Sequence, residues 1–161
     1  MFAYCNNNPV NYVDYTGKLT VTFSIGADLT FFFFGVSESV SISFDDDFNI
    51  AVQISYSEPN YLSNNETFHI GLMDVGVCAA LQMTEDDTVY DLEGPTSYAG
   101  FSGGNASYIG GDLVYSGHHP MKDDTPDTLT GLQGCIGYGI GLDAHYKTTQ
   151  TKTLWSFNLL R

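Results

Sequence analysis

From Leu19 onward apolar and polar residues alternate with period two almost without interruption, and an alternation of that kind commits a chain to β-structure. Leu19, Val21, Phe23, Ile25, Ala27 and Leu29 share one face, and Thr20, Thr22, Ser24 and Asp28 share the other. Val36, Val40, Ile42 and Phe44 alternate with Ser37, Ser39, Ser41 and Ser43, and Ile50, Val52, Ile54 and Tyr56 alternate with Ala51, Gln53 and Ser55. Asp45, Asp46, Asp47, Phe48 and Asn49 lie between two such runs and read as a hairpin loop. Ser57 to Thr67 is a polar break, after which Val75, Val77, Ala79, Leu81 and Met83 resume one phase. Asp91-Leu92-Glu93-Gly94-Pro95 bars a helix, and no segment carries a 3.6-residue apolar stripe with caps.

Two glycine-rich stretches, Gly94 to Tyr115 and Gly131 to Tyr146, echo one another. Glycines on strands permit sharp coiling or close backbone approach, as barrel corners require. They are expected to form adjacent antiparallel strands, with Tyr138, Ile140 and Leu142 turned to the core and Asp143 and His145 turned away. The expected fold is all-β with little or no helix: roughly eight to ten short antiparallel strands in a meander, forming a barrel or a two-sheet sandwich. Period two cannot tell which face meets water, because an outer-membrane barrel alternates in the same way with its faces reversed. Most apolar runs fall short of the roughly nine to eleven residues of a spanning strand, so a water-soluble domain with an apolar core is expected.

Charge narrows the partners. The formal net charge is −14, and between Leu19 and Met121 there are fourteen Asp and Glu and no Lys or Arg. Phosphate backbones and anionic membranes are held through Lys and Arg, so nucleic acid is excluded as a partner and a membrane is not expected. Cys5, Cys78 and Cys135 lack metal-ligand spacing, and Cys78 and Cys135 read as buried free thiols on strands.

Four clusters carry chemistry-bearing side chains. Phe31, Phe32, Phe33 and Phe34 are a candidate ligand-touching or membrane-touching patch, or a central strand buried on both sides. His118, His119, Asp123 and Asp124 offer metal-ligating types at non-standard spacing. Asp45, Asp46 and Asp47 offer oxygen ligands but lack the glycine and terminal glutamate of an EF-hand loop, and read as a solvated turn. Asp143 and His145 are two apart on one strand face, the second half of a general-base unit. No nucleophile motif accompanies them, and a surface pair is the plainer reading. No cofactor is called for.

The first seventeen residues differ from the rest. Ala3-Tyr4-Cys5-Asn6-Asn7-Asn8-Pro9-Val10-Asn11-Tyr12-Val13-Asp14 and Gly17 resemble the closing motif of the RHS repeat-associated core, the match running from Tyr4 to Gly17. Where that family has Asp-Pro-x-Gly, this chain has Asp14-Tyr15-Thr16-Gly17 and lacks the φ that proline fixes. The resemblance implies that residues 1–17 are an extended remnant of the core and that residues 18–161 are one variable C-terminal domain of a bacterial polymorphic toxin or surface protein. It implies secretion or surface display as part of a longer parent, since this chain shows neither a signal peptide nor a transmembrane helix, and it raises an immunity protein as a partner. The function expected is a non-enzymatic β-domain that binds a protein, a glycan or a membrane. The rivals are a metal- or His-dependent hydrolase built on His118, His119, Asp143 and His145, and a lipocalin-like carrier of a small apolar ligand.

Overall fold

The computed structural model describes residues 18–31, 34–57, 68–86, 88–116 and 129–160. The RHS-like strip, Phe32 and Phe33, and the His118, His119, Asp123 and Asp124 cluster lie outside the described residues. The fold is all-β. Among the described residues six antiparallel strands follow the alternation of the sequence: β1 (Thr20–Phe31), β2 (Phe34–Asp45), β3 (Asn49–Ser57), β4 (Phe68–Thr84), β5 (Gly94–Ser116) and β6 (Leu129–Asn158). They are fewer and longer than the short strands expected, from 9 residues in β3 to 30 in β6. The length argument that set a membrane aside therefore falls, because every strand reaches spanning length.

The strands form one sheet in the order β3-β2-β1-β4-β6-β5, with an additional β3–β6 pairing. β6 pairs with β4 from Gly131 to Tyr146 and with β3 from Thr149 to Asn158, so the hydrogen bonds form a ring without making a regular barrel. β5 pairs with β6 along nearly its whole length, which brings the two glycine-rich stretches side by side as expected. The bend falls where β4 shifts register between Gly71 and Asp74, opposite Gly141 at φ 140. Only glycine adopts that backbone readily.

The polarity of the ring is reversed. Along the register, Phe44, Val21, Met83 and Leu132 form one outward row. Val40, Ile25, Ala79 and Ile136 form another, and Val36, Leu29, Val75 and Ile140 a third. The inward rows are Ser43, Thr22, Gln82 and Gln133, then Ser39, Gly26, Cys78 and Gly137, then Ser37, Asp28, Gly76 and Gly139. Tyr138, Ile140 and Leu142, expected in the core, are 80%, 59% and 71% exposed, while Asp143 and His145 are buried at 2% and 9%. The alternation is as read and its sign is inverted.

The interior is held by hydrogen bonds, as buried polar groups require. Thr22 and Ser43 hydroxyls meet at 2.8 Å, Ser43 donates to Gln53 Oε1 at 2.8 Å, and Gln53 Nε2 donates to the Val89 carbonyl at 3.0 Å. The segment after β4 seals one end of the ring with Val89 and Leu92 buried, and the Val89 amide donates to Asp45 Oδ2 at 3.0 Å. Asp45 also accepts the Asp47 and Asn49 amides at 3.0 Å, which fixes the β2–β3 turn and Phe48 at φ 62. The acidic turn at Asp45 to Asp47 is thus an intrachain hydrogen-bonding device at the rim.

Candidate functional site

Beyond the bend at Gly141, alternation sends Asp143, His145 and Lys147 of β6 into the ring. His145 Nδ1 lies 3.0 Å from Asp143 Oδ2, and its Nε2 lies 2.9 Å from Asp112 Oδ1 of β5. Asp112 also accepts a hydrogen bond from Gln133 Nε2 at 3.0 Å. Burial pushes the imidazole pKa down, but the hydrogen bonds to Asp112 and Asp143 outweigh it and the net shift is upward. An imidazolium held between two carboxylates donates from both nitrogens, so it has no lone pair for a metal or for a substrate proton. Lys147 lies beside it, its Nζ 3.2 Å from Asp28 Oδ1 and 5.9 Å from the Tyr98 ring centroid. Burial lowers the Lys147 pKa, yet Asp28 and Asp112 reverse the sign and hold the ammonium charged.

A second cluster surrounds Asp74 on β4. Its Oδ2 accepts the Tyr108 hydroxyl at 2.6 Å and the Ser102 hydroxyl at 3.0 Å, while its Oδ1 is buried with no hydrogen-bond partner among the described residues. The Tyr108 ring lies over Gly76 and Gly139, where an added Cβ would come within 2.9 Å and 2.7 Å of ring atoms. Burial, with the hydrogen bond to Asp74 next, raises the Tyr108 pKa far above its ordinary value. Ser102 pairs across the ladder with Asp143, but its hydroxyl goes to Asp74, so Ser102 does not stand before the His145 imidazole as a nucleophile. Tyr98, whose hydroxyl donates to Gln82 Oε1 at 3.1 Å, has its pKa pushed up to about 12 by burial.

The interior cavities among the described residues are small. Two cavities of about 30 and 50 Å³ are lined mainly by hydroxyls, Gln53, Gln82, Gln133, Tyr98 and Lys147, enough for water but for no larger ligand. Cys78 and Cys135 face each other there as free thiols, and the hydrogen bond to Cys135, with burial, keeps the Cys78 thiol protonated. Among the described residues no group of three or more His, Cys, Asp and Glu is placed to hold a metal ion.

Of the residues singled out in the sequence, the structure brings together Asp143 and His145, inside rather than on the surface. Phe31 is outward and 55% exposed, and Phe34 pairs with it in the β1–β2 ladder. Asp112, Gln133, Asp74, Tyr108 and the Lys147–Asp28 pair were not foreseen. Their signal was present, since each lies on the polar phase of its strand, but their partners come from other strands at separations that local pattern cannot reveal.

The larger concavities are outside. One of about 490 Å³ is lined by Leu19, Leu81, Met83, Leu129 and Leu132, and one of about 550 Å³ by Ala27, Leu29, Val36 and Tyr56. Comparison with known protein families, curated proteins and solved structures finds no match to the chain.

Proposed function

We propose that the chain is the variable C-terminal β-domain of an RHS-type bacterial secreted or surface protein, and that it acts without catalysis, as a binding or effector module working through its outer face. The observation that carries this reading is the reversed polarity of the ring: large apolar side chains stand outward on β1, β2, β4 and β6, while the polar groups are spent on one another inside. Such a surface is a binding surface, because contiguous exposed apolar area on this scale marks an interaction site. A hydrolase reading has against it that both His145 nitrogens are taken and that the interior admits only water. A lipocalin-like carrier would need an apolar cavity, and the described interior is lined by hydroxyls and amides. An immunity protein for this domain would have to cover the outer face.

The test is retention of the purified chain on isolated bacterial envelopes, which present lipid, glycan and protein together. Saturable retention is expected, lost when Ile25→Asp and Val77→Asp place charge on the outer face and kept in Asp143→Asn. Retention indifferent to the outer substitutions, or product release that disappears in His145→Ala, would contradict the reading.

A further inference from the structure

We infer that the outer face is covered by the hydrocarbon of a lipid bilayer. This inference rests on the reading of that face as the binding surface and names what it binds. Three observations point to lipid rather than to a protein or a second copy.

The first is extent. On β1 the outward positions Val21, Phe23, Ile25, Ala27, Leu29 and Phe31 are all apolar, and on β4 so are Met73, Val75, Val77, Ala79, Leu81 and Met83. β2 adds Val40, Ile42 and Phe44, β3 adds Ile50, Val52 and Ile54, β5 adds Ile109 and Leu113, and β6 adds Leu132, Ile136 and Ile140. A partner chain or a second copy covers one side of a ring, whereas acyl chains cover all of it.

The second is height. Ten steps from Val21 to Phe31 at about 3.4 Å each run roughly 34 Å along the strand. At a tilt of about 40° they rise about 26 Å, close to the apolar band of membrane barrels. On the β2–β3–β6 side the belt is shorter: Glu38 and Gln150 flank Tyr56, and Lys152 stands outward beside Ile54 in the row of Val40 and Ile25, so the apolar face there narrows to the rows of Ile50 and Val52. The acidic turn at Asp45 to Asp47, with exposed Glu85, marks the other rim on the side of β1 where Thr20 sits.

The third is closure. In hydrocarbon every backbone group must be paired within the chain, and the β3–β6 and β4–β6 ladders turn the sheet into a ring that pairs both edges of β1, β2, β3 and β4. Among the described residues the two interior cavities have room for water and nothing larger, so the ring is proposed as a membrane-embedded body rather than an open channel. With a net charge of −14 the chain is not drawn to anionic headgroups, and the attraction lies in the apolar belt.

Trp155, the single tryptophan, stands outward on β6 with its ring 4.7 Å from that of Phe157, and reports the environment of the belt without any substitution. The full chain is mixed with phosphatidylcholine vesicles whose acyl chains carry bromine near their midpoint. Expected are flotation of the chain with the vesicles, resistance to a high-salt wash, a blue shift of Trp155 emission and quenching by the bromines. A chain left in the aqueous phase with Trp155 unquenched would overturn the inference. A defined dimer in solution with Trp155 shielded and no quenching would overturn it too, and assign the face to a second copy. Envelope retention together with failure on these vesicles would leave the binding reading standing and remove lipid as the ligand.

Discussion

The Tyr108 hydroxyl reaches Asp74 Oδ2 at 2.6 Å by lying across the Cα positions of Gly139 and Gly76, so that β5 is tied to β4 over the strand between them. Two glycines make the crossing possible and a buried carboxylate makes it necessary. Ser102 supplies the other hydrogen bond to the same oxygen.

Tyr108→Phe keeps the ring and removes one of two donors from a buried carboxylate, and should cost about 1.5 to 3 kcal/mol, the range for a hydrogen bond to a charged group. Gly139→Ala should cost at least as much, because the new methyl meets both the Tyr108 ring and the Val75 carbonyl. Urea titration of each variant measures both. A neutral Tyr108→Phe would mean that Asp74 finds another donor.

His145→Ala should be the damaging change on β6 and Ile140→Ala the mild one. Removing the imidazole leaves Asp112 and Asp143 facing each other while buried, at a cost of about 3 to 5 kcal/mol for a broken buried pair. Ile140, already outward, should lose no more than about 0.5 kcal/mol in aqueous denaturant. Denaturant midpoints of the two variants give the comparison, and the opposite order would put Ile140 in the core.

Stability should fall as pH rises through the folded-state pKa of His145. That value is raised above 6.5, so the imidazolium's contribution is fully present below the unfolded pKa and is lost as the proton leaves the folded chain. Asp112, Asp143 and Lys147 face the same imidazole, and the Lys147 charge opposes the two carboxylates. Asp45 acts with the opposite sign. Burial raises its pKa, but the hydrogen bonds from Asn49, Val89 and Asp47 leave it below 3.8, so its contribution is present above that value and lost on further acidification. Thermal midpoints measured across pH should decline on the alkaline side, and His145→Gln should flatten that decline.

Much of the architecture was legible because alternation from Leu19 to Leu29, from Val36 to Phe44 and from Val75 to Met83 maps directly onto β1, β2 and β4. The pairing of the glycine-rich stretches was legible as well, since their glycines announce the close backbone approach seen under Tyr108. The sign of the faces was not, because period two is unchanged when inside and outside are exchanged. Ser37, Ser39, Ser41 and Ser43 read as a solvated face until the ring closes around them. His145 and Asp143 were found as a pair, but Asp112 lies 33 residues away on another strand, and only the β5–β6 register brings it to the second nitrogen.

The account depends most on which face of β4 points inward, and Cys78 beside Val77 tests that most directly. In a Cys5→Ser background with Val77→Cys, the folded chain in dilute non-ionic detergent is exposed to N-ethylmaleimide, and the alkylated position is located by peptide mass. The outward thiol at position 77 should react in the folded chain, and Cys78, buried at 8%, should react only after unfolding. Alkylation of Cys78 in the folded chain with position 77 protected would contradict the reversed polarity, and with it the lipid-facing belt.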